Sequence, residues 1–427
     1  MKTAFTIGSP ASTYLADMGQ ELIDRDPERA AVAHLLRRSA MCAHPARIEA
    51  LTDRSWSDAV DDVLTSSITT GTEPPPISDD WGDTVGWWVD RMVAEDTGLV
   101  DRMTWFWHGL LTTNAYKVSE SSLIGTQLAV VRGNALGNFR QLLQEFVVSG
   151  ALLEYLDASW SMASNPNENL ARELMELFTI GRGHYSQDDV RAAARALAGW
   201  VVEDGVVEFR RENSFRAPLI FLGQQADWDT ASLVDRLCDH PATAARIGAR
   251  LWSQLVGVPL TPDAASELGS WWQERDLEIM PLVERILRDP AFAASTMVRP
   301  RSAIEWFCAL RAATGLDGSE SWYLDSLGQM PFLPPNVAGW PDGDRWLSAG
   351  SLLGRASVVH GLDLAALVGD GSTVDVNRLL DACGLWSVSA STRQALDGVA
   401  GTAELSPEGA HLARWRLVLT CPEFHLS

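Results

Sequence analysis

The residues best suited to chemistry lie between positions 165 and 200. Glu168, Arg172 and Glu176 are spaced four apart, so a helix with about 3.6 residues per turn places them on one side. A carboxylate that such a helix directs into a cleft can act as an acid, a base or a ligand. The candidate catalytic residues of this stretch are Arg172, Glu173 and Glu176, and its candidate binding residues are Asn167, Glu168, Asn169 and Arg195.

Two other interpretations of the same spacing stay open. The charged residues can form a solvated helix face, where ion pairs four residues apart contribute roughly a few tenths of a kcal/mol each. They can also form a buried ion network between this helix and the next one, with a structural role. Spacing alone does not choose between these interpretations and a catalytic cleft.

Two consecutive helices are expected to carry these residues. The first helix is predicted from about 166 to 180, with Asn165 as its N-cap and Glu168 at the capping-box position. Gly181 is placed for the left-handed conformation that ends many helices. Ser186 is the predicted N-cap of the second helix, whose inner face is rich in alanine.

His108 is a further candidate catalytic residue. It follows a run of bulky aromatic residues from Trp105 to Trp107. Because imidazole changes its charge near neutral pH, His108 can serve as a base or a ligand. The alternative is a core histidine whose hydrogen bonds are satisfied inside the protein.

A loop at residues 333–346 is the best candidate binding segment outside the helices. Its prolines stiffen the chain, and its glycines allow tight turns. Stiff loops that present aromatic side chains suit contact with a ligand or a partner. The alternative is a structural loop whose tryptophans fill a groove between helices. The candidate binding residues of the loop are Asn336, Trp340, Asp342 and Trp346.

Helical periodicity dominates the rest of the chain and predicts an all-α fold, a multi-helix bundle. The exception is a stretch at residues 201–211, where alternating residues flank Asp204-Gly205 and predict at most a small β-hairpin. The predicted divisions are an N-terminal arm, a helical lobe, a hairpin connector and a second helical lobe, the lobes forming one continuous unit. These divisions cover residues 1–27, 28–200, 201–228 and 229–427, respectively.

Composition limits the partners, the cofactors and the location. The net charge of −22 disfavours nucleic acid and anionic membrane surfaces as partners. The five cysteines form no C-x-x-C pair, and with no other metal-ligand spacing we predict neither a metal site nor a cofactor. No signal peptide and no apolar stretch long enough to span a membrane are visible, so a cytoplasmic location is expected.

Several ordered motifs resemble one protein family. The main motif is N-E-N-L-A-R-E-L-M-E-L-F-T-I-G at residues 167–181, followed by Y-S-Q-D-D-V-R-A-A-A-R-A-L-A-G-W at 185–200. Further matches are R-G-N-A-L-G-N-F-R at 132–140 and P-P-N-V-A-G-W-P-D-G-D-R-W at 334–346. Together they resemble the large bacterial family known as domain of unknown function 1800.

The resemblance implies an all-helical fold and no established activity. Family members are often encoded beside proteins that resemble sulfatases and alkaline phosphatases, and many members carry export signals. Members commonly read F-W-H-N-H-F where this chain has Phe106-Trp107-His108-Gly109-Leu110-Leu111, so the second histidine is missing here.

Three hypotheses for function are open, and a purely structural helical protein is the residual one. The first is a binding or scaffold protein that acts with a sulfatase-like partner in envelope or polysaccharide metabolism. The second is a hydrolase-like enzyme in which a Glu/Arg/His cluster meets in a central cleft.

Overall fold

The fold is described from a computed structural model, which describes residues 21–69, 74–316, 322–364, 367, 375–399 and 405–427. The predicted N-terminal arm at residues 1–27 lies mostly outside the described residues. Of the described residues, 61% are helical, and the sheets among them are small antiparallel pairs of strands, so the all-α prediction is confirmed.

The first half of the chain holds ten α-helices and one strand among the described residues. They are β1 (Leu22–Asp24), α1 (Pro27–Ser39), α2 (Pro45–Leu51), α3 (Trp56–Thr69), α4 (Trp81–Val93), α5 (Leu99–Leu110), α6 (Ser122–Gly133), α7 (Phe139–Val147), α8 (Gly150–Tyr155), α9 (Glu168–Glu173) and α10 (Gln187–Ala196).

Two hairpins connect this part to the helices that follow. The elements are β2 (Trp200–Glu203), β3 (Val206–Phe209), β4 (Leu219–Phe221), β5 (Gln224–Ala226), α11 (Thr230–Cys238), α12 (Pro241–Val256), α13 (Pro262–Gln273), α14 (Ile279–Leu287), α15 (Pro290–Ala293), α16 (Ala303–Thr314), α17 (Trp322–Ser326), α18 (Ala349–Gly361), α19 (Val376–Ala382), β6 (Ser387–Ser389), α20 (Ala390–Gly398) and α21 (Pro407–Thr420).

The predicted hairpin is present, and two further strand pairs were not expected. Asp204 and Gly205 have φ angles of 51° and 72°, which suits the tight turn between β2 and β3. Leu222 and Gly223, at 45° and 76°, make a similar turn between β4 and β5. The third pair joins β1 to β6 across most of the chain, and no local pattern signals it.

The motif helix begins two residues later than predicted, because Asn167 rather than Asn165 is its N-cap. The Asn167 side chain accepts a hydrogen bond from the Asn169 amide at 2.7 Å and donates one to the Asp157 carbonyl at 2.6 Å. Asn165 instead pairs with Met162 in a short turn. Of the two asparagines, Asn167 alone makes the bond to Asp157, and together with the cap bond it holds the start of the helix at this residue.

The end of the motif helix is a π-helical turn at Leu174–Phe178. The Thr179 hydroxyl donates to the Leu174 carbonyl at 2.6 Å, and the Gly181 amide donates to Met175 at 2.8 Å. Gly181 has a φ of 82°, as expected for the residue that ends this helix. The predicted Ser186 cap of α10 is confirmed, and Asp189 completes its capping box.

Helices from both sides of the 201–228 connector pack together. Helix α1 contacts α12 and α15, α3 contacts α14, and α4 contacts α16. His34 of α1 also hydrogen-bonds the Phe292 carbonyl of α15 at 2.8 Å. The hydrophobic core therefore runs between the two predicted helical lobes.

Candidate functional site

The loop at residues 330–346 is tied to the end of helix α5. The Ala115 amide donates to the Phe332 carbonyl at 2.8 Å, and the Thr112 hydroxyl donates to Val337 at 2.5 Å. Gly339 has a φ of 86°, and a Cβ added there would stand 2.5 Å from the Gly109 carbonyl oxygen. Only glycine lets the loop approach the helix this closely.

His108 lies buried beneath this loop, among aromatic side chains. Its Nε2 accepts a hydrogen bond from the Phe332 amide at 3.1 Å, and the rings of Trp88 and Trp340 lie at 5.0 and 5.4 Å. Burial lowers the pKa of His108 to about 3, so the imidazole is neutral at physiological pH. His108 therefore holds the loop in place as a hydrogen-bond acceptor.

The loop tryptophans pack inward. Trp340 stacks on Trp105 with ring centroids 5.5 Å apart, and only 9% of its surface is exposed. Trp346 is also buried, and its indole N–H donates to the Pro341 carbonyl at 2.8 Å. Asn336 accepts a bond from the Ala338 amide at 2.9 Å, which stabilises the turn before Gly339.

A cavity of about 480 Å³ opens between this loop, α5, α12 and the start of α16. We call it the aromatic cleft. Its aromatic lining includes Trp105, Phe106, Trp340 and Trp346, and its polar lining includes Arg250, Arg299, Ser302, Glu305, Asp342 and Asp344. The volume is in the usual range for small-molecule sites, about 300–1,000 Å³.

Glu305 closes the inner wall of the cleft. Arg102 and Arg299 both form ion pairs with it, and the Ser302 amide donates to its carboxylate at 2.8 Å. Although burial acts in the opposite direction, these two arginines hold the pKa of Glu305 well below its usual range. The side chain of Glu305 therefore stays ionised.

Behind this wall lies a group of arginines that we call the arginine core: Arg37, Arg38, Arg102, Arg299, Arg301 and Arg355. Arg102 and Arg299 pair with Glu305, Arg38 donates to a main-chain oxygen of Ser427, and the other three donate to backbone carbonyls or neutral side chains. Burial lowers the pKa of Arg301 and Arg355 to about 10, so both remain charged at neutral pH. The interior beside the cleft thus carries more positive than negative charge.

Arg250 projects from α12 into the lining of the cleft. Within the described residues its guanidinium forms no hydrogen bond and no ion pair. Burial lowers its pKa and nearby Asp342 raises it, yet a guanidinium remains charged at any physiological pH.

The charged residues of the motif lie in a different place, which we call the motif cluster: Glu168, Arg172, Glu173, Glu176 and Arg182. Arg172 pairs with Glu168 at 3.2 Å. Glu176 is paired with Arg182, and the Tyr185 hydroxyl donates to it at 2.9 Å. None of the five lines the aromatic cleft.

Glu173 and Glu176 titrate differently. Burial raises the pKa of Glu173, and the charge of Glu176 raises it further. The bond from Arg182 lowers the pKa of Glu176. Among the described residues Glu173 has no hydrogen-bond partner. Two neighbouring carboxyl groups whose pKa values shift in opposite directions are a feature of acid–base sites.

The remaining predicted binding residues have structural contacts. Asn167 and Asn169 both donate to carbonyls at the end of α8, those of Asp157 and Leu156. Arg195 lies over the Phe215 ring at 5.3 Å.

The structure thus brings His108, Trp340, Trp346 and Asp342 together at or beside the cleft and leaves the motif cluster outside it. Arg246 connects the two regions, because it donates to the Leu177 carbonyl at 2.6 Å and lies one helical turn before Arg250. Sequence patterns did not indicate Arg250, Arg299 or Glu305 as site residues. The Arg246–Arg250 spacing on an amphipathic helix was the one available signal.

Further observations bear on ligands and membranes. Among the described residues, no three His, Cys, Asp or Glu side chains gather as metal ligands. In the same part of the chain, every helix is too short or too polar to cross a lipid bilayer.

Fold and site together define a helical protein with one wall of buried arginines and an aromatic cleft. The family model described as "Protein of unknown function (DUF1800)" matches residues 34–426. The chain belongs to this family. No curated protein and no solved structure matches it.

Proposed function

We propose that this protein binds a small molecule in the aromatic cleft and performs no chemistry there. The observation that carries the proposal is Arg250, a charged side chain that lines the cleft without an ion-pair partner among the described residues. A partly buried charge without a partner costs stability, and a ligand supplies the missing partner.

The other groups at the cleft favour binding over catalysis. Glu305 is held ionised by two arginines, and His108 is neutral and engaged with the Phe332 amide. Neither group is free to exchange a proton with a substrate, as general acid–base catalysis requires.

The test is native mass spectrometry of the protein purified from its own cell. Gly109 lines the cleft, and a Cβ there meets nothing within 4 Å, so Gly109→Phe fills the cavity from α5. Gly86→Phe adds the same ring at another open position of a helix and is the matched control. We expect a bound small molecule on the wild type and on Gly86→Phe but not on Gly109→Phe.

A second cleft variant makes this test independent of one substitution. Ser253→Leu narrows the cavity from α12, a different helix of its lining. If the wild type carries no small molecule, or if both folded cleft variants keep it, the proposal is wrong.

Glu173 favours a second candidate, a hydrolase-like enzyme that uses the motif cluster. Its raised pKa beside the lowered pKa of Glu176 supports an acid and a base in one site. Glu173→Gln should then abolish turnover of an ester, glycoside or phosphate-ester substrate while the fold persists. Glu168→Gln, on the same helix, should retain it. Equal rates in both variants would remove this candidate.

The sulfatase-like partner, and with it a role in envelope or polysaccharide metabolism, stays a prediction from the family resemblance, as does the cytoplasmic location. Purification of the tagged chain from its native cell tests the partner. We expect a stoichiometric sulfatase-like protein to co-purify, and recovery of the chain alone would contradict that expectation.

A further inference from the structure

We infer that the ligand of the aromatic cleft is a small hydroxylated molecule with one oxyanion group, and that Arg250 binds this group. The inference rests on the proposed ligand-binding function and adds the chemical class of the ligand. Carboxylate, phosphate and sulfate groups share the chemistry that a guanidinium recognises, because its planar N–H groups match their oxygens.

Arg250 supplies the first argument. Charged arginines in a protein interior normally pair with a carboxylate or donate to carbonyl oxygens. Arg102 does both, because it pairs with the Glu305 carboxylate and donates to the backbone carbonyls of Ala40 and Arg37. Arg250 does neither within the described residues. The carboxylate of Asp342 is close enough to influence it but forms no ion pair with it. The part of the cleft next to the Arg250 guanidinium therefore favours an anionic group of a ligand.

Unpartnered donors around the cleft supply the second argument. Trp340 Nε1, Arg299 Nε and Ser302 Oγ are buried and have no hydrogen-bond partner among the described residues. All three residues line the cleft. These three atoms are themselves closed off from the cavity, so they add unsatisfied donors to the wall of the cleft without contacting a ligand directly.

The arginine core extends this pattern behind the cleft wall. Arg38 is fully buried, and its Nε and Nη1 have no partner in the described part of the chain. Nη1 lies 3.1 Å from the position that a Cβ on Gly257 would occupy, and Gly257 lines the cleft. The absence of a side chain at residue 257 leaves this guanidinium next to the cavity. The protein as a whole carries a net charge of −22, so this positive interior is a local feature.

The rim of the cleft limits the rest of the ligand. Asp342 and Asp344 are exposed there, and both carry carboxylates. Carboxylates at the rim repel a polyanion but accept hydrogen bonds from hydroxyl groups. A ligand with a single anionic group next to Arg250 and hydroxyl groups at the rim fits both the guanidinium and the carboxylates of the cleft.

Hexoses that differ in one substituent provide the test. Isothermal titration with the full chain would compare D-glucuronate, glucose 6-phosphate and glucose 6-sulfate with neutral glucose. We expect at least one of the three anions to bind and glucose to bind at least about 10-fold more weakly, since a charge-assisted hydrogen bond contributes a factor of about 10 to 100. The anion that binds best identifies the source of the oxyanion as carboxylate, phosphate or sulfate.

Two substitutions assign the binding to Arg250. Arg250→Gln should weaken the anion about 10- to 100-fold, and Arg250→Lys should restore part of the affinity because it keeps the charge without the fork. Arg275→Gln, at an exposed arginine of the loop after α13, should leave the affinity unchanged.

Three results overturn the inference: glucose binds as well as the anions, none of the anions saturates the protein at 10 millimolar (on the order of ten times a weak Kd), or Arg250→Gln binds like the wild type. A neutral small molecule found on the wild type but missing from Gly109→Phe would overturn the anionic class alone. In that case the proposed binding function stands.

Discussion

The arginine core and the motif cluster both pair arginine with glutamate, but in very different surroundings. In the arginine core, the side chains of Arg102 and Glu305 are 1% and 2% exposed. In the motif cluster, Arg172 and Glu168 are each 38% exposed, and Arg182 is 84% exposed. The motif cluster, whose residue spacing suggested a catalytic site, is thus largely exposed to solvent.

This difference teaches that burial, not residue type, sets the energy of such pairs. Exposed pairs contribute about 0–1 kcal/mol, because water screens the charges and side-chain entropy opposes the contact. Breaking a buried pair leaves an uncompensated charge and costs about 3–5 kcal/mol. Substitutions in the two regions, and a change of pH, test this contrast.

The largest effect is expected from Glu305→Gln. Without the carboxylate, Arg102 and Arg299 remain buried without a counter-charge, and the free energy of unfolding should fall by about 3–5 kcal/mol. Glu168→Gln is the matched change in the motif cluster and should cost less than about 0.5 kcal/mol. Urea denaturation measures both. Similar losses in the two variants would remove the contrast.

Lowering the pH should reduce the stability of the folded protein through the protonation of His108. Its pKa is about 3 in the folded protein and about 6.5 in the unfolded chain, so the unfolded chain takes up a proton first as the pH falls. The contribution of His108 is complete above about pH 6.5 and is lost progressively as the pH drops toward 3.

His108→Gln removes this titration while its amide oxygen can still accept from the Phe332 amide. Between pH 6.5 and 4.5 the variant should lose about 2 kcal/mol less stability than the wild type. His360→Gln, at an exposed histidine, is the control. An unchanged pH slope in His108→Gln would contradict the buried, neutral state of this residue.

In the motif region, losing the helix cap should lower the free energy of unfolding more than losing one of the exposed ion pairs. Asn167→Ala removes the N-cap of α9 and the bond to the Asp157 carbonyl, and should cost about 1–2 kcal/mol. Asn165→Ala changes the asparagine two residues earlier, outside the cap, and should cost less than about 0.5 kcal/mol. Thermal denaturation of the two variants gives the order. The reverse order would place the cap at Asn165.

The smallest effect should have the opposite sign. Arg250 is a charge without a partner, so Arg250→Gln should leave the ligand-free protein equally stable or raise its stability by up to about 1 kcal/mol. Arg102→Gln, which removes an arginine that is fully bonded, should lower it. A clear loss of stability in Arg250→Gln would assign Arg250 a structural role.

Local patterns in the sequence predicted much of the fold. Helical periodicity gave the all-α class, Asp204-Gly205 gave the β2–β3 turn, and Ser186 with Asp189 gave the cap of α10. Each of these signals acts within a few residues, because turns, caps and helix faces depend on neighbouring side chains and their own backbone. The motifs likewise sufficed to identify the family.

Only the tertiary structure decided the rest. Asn165 and Asn167 are both competent caps locally, and the Asp157 carbonyl ten residues before Asn167 selects the second. Arg102 and Glu305 are 203 positions apart, and no spacing rule connects them. The cleft exists because a loop, two helices and the start of a third meet around Arg250. Long-range packing determines which charges are removed from water, and that removal separates a solvated surface pair from a strong interior contact or an open binding site.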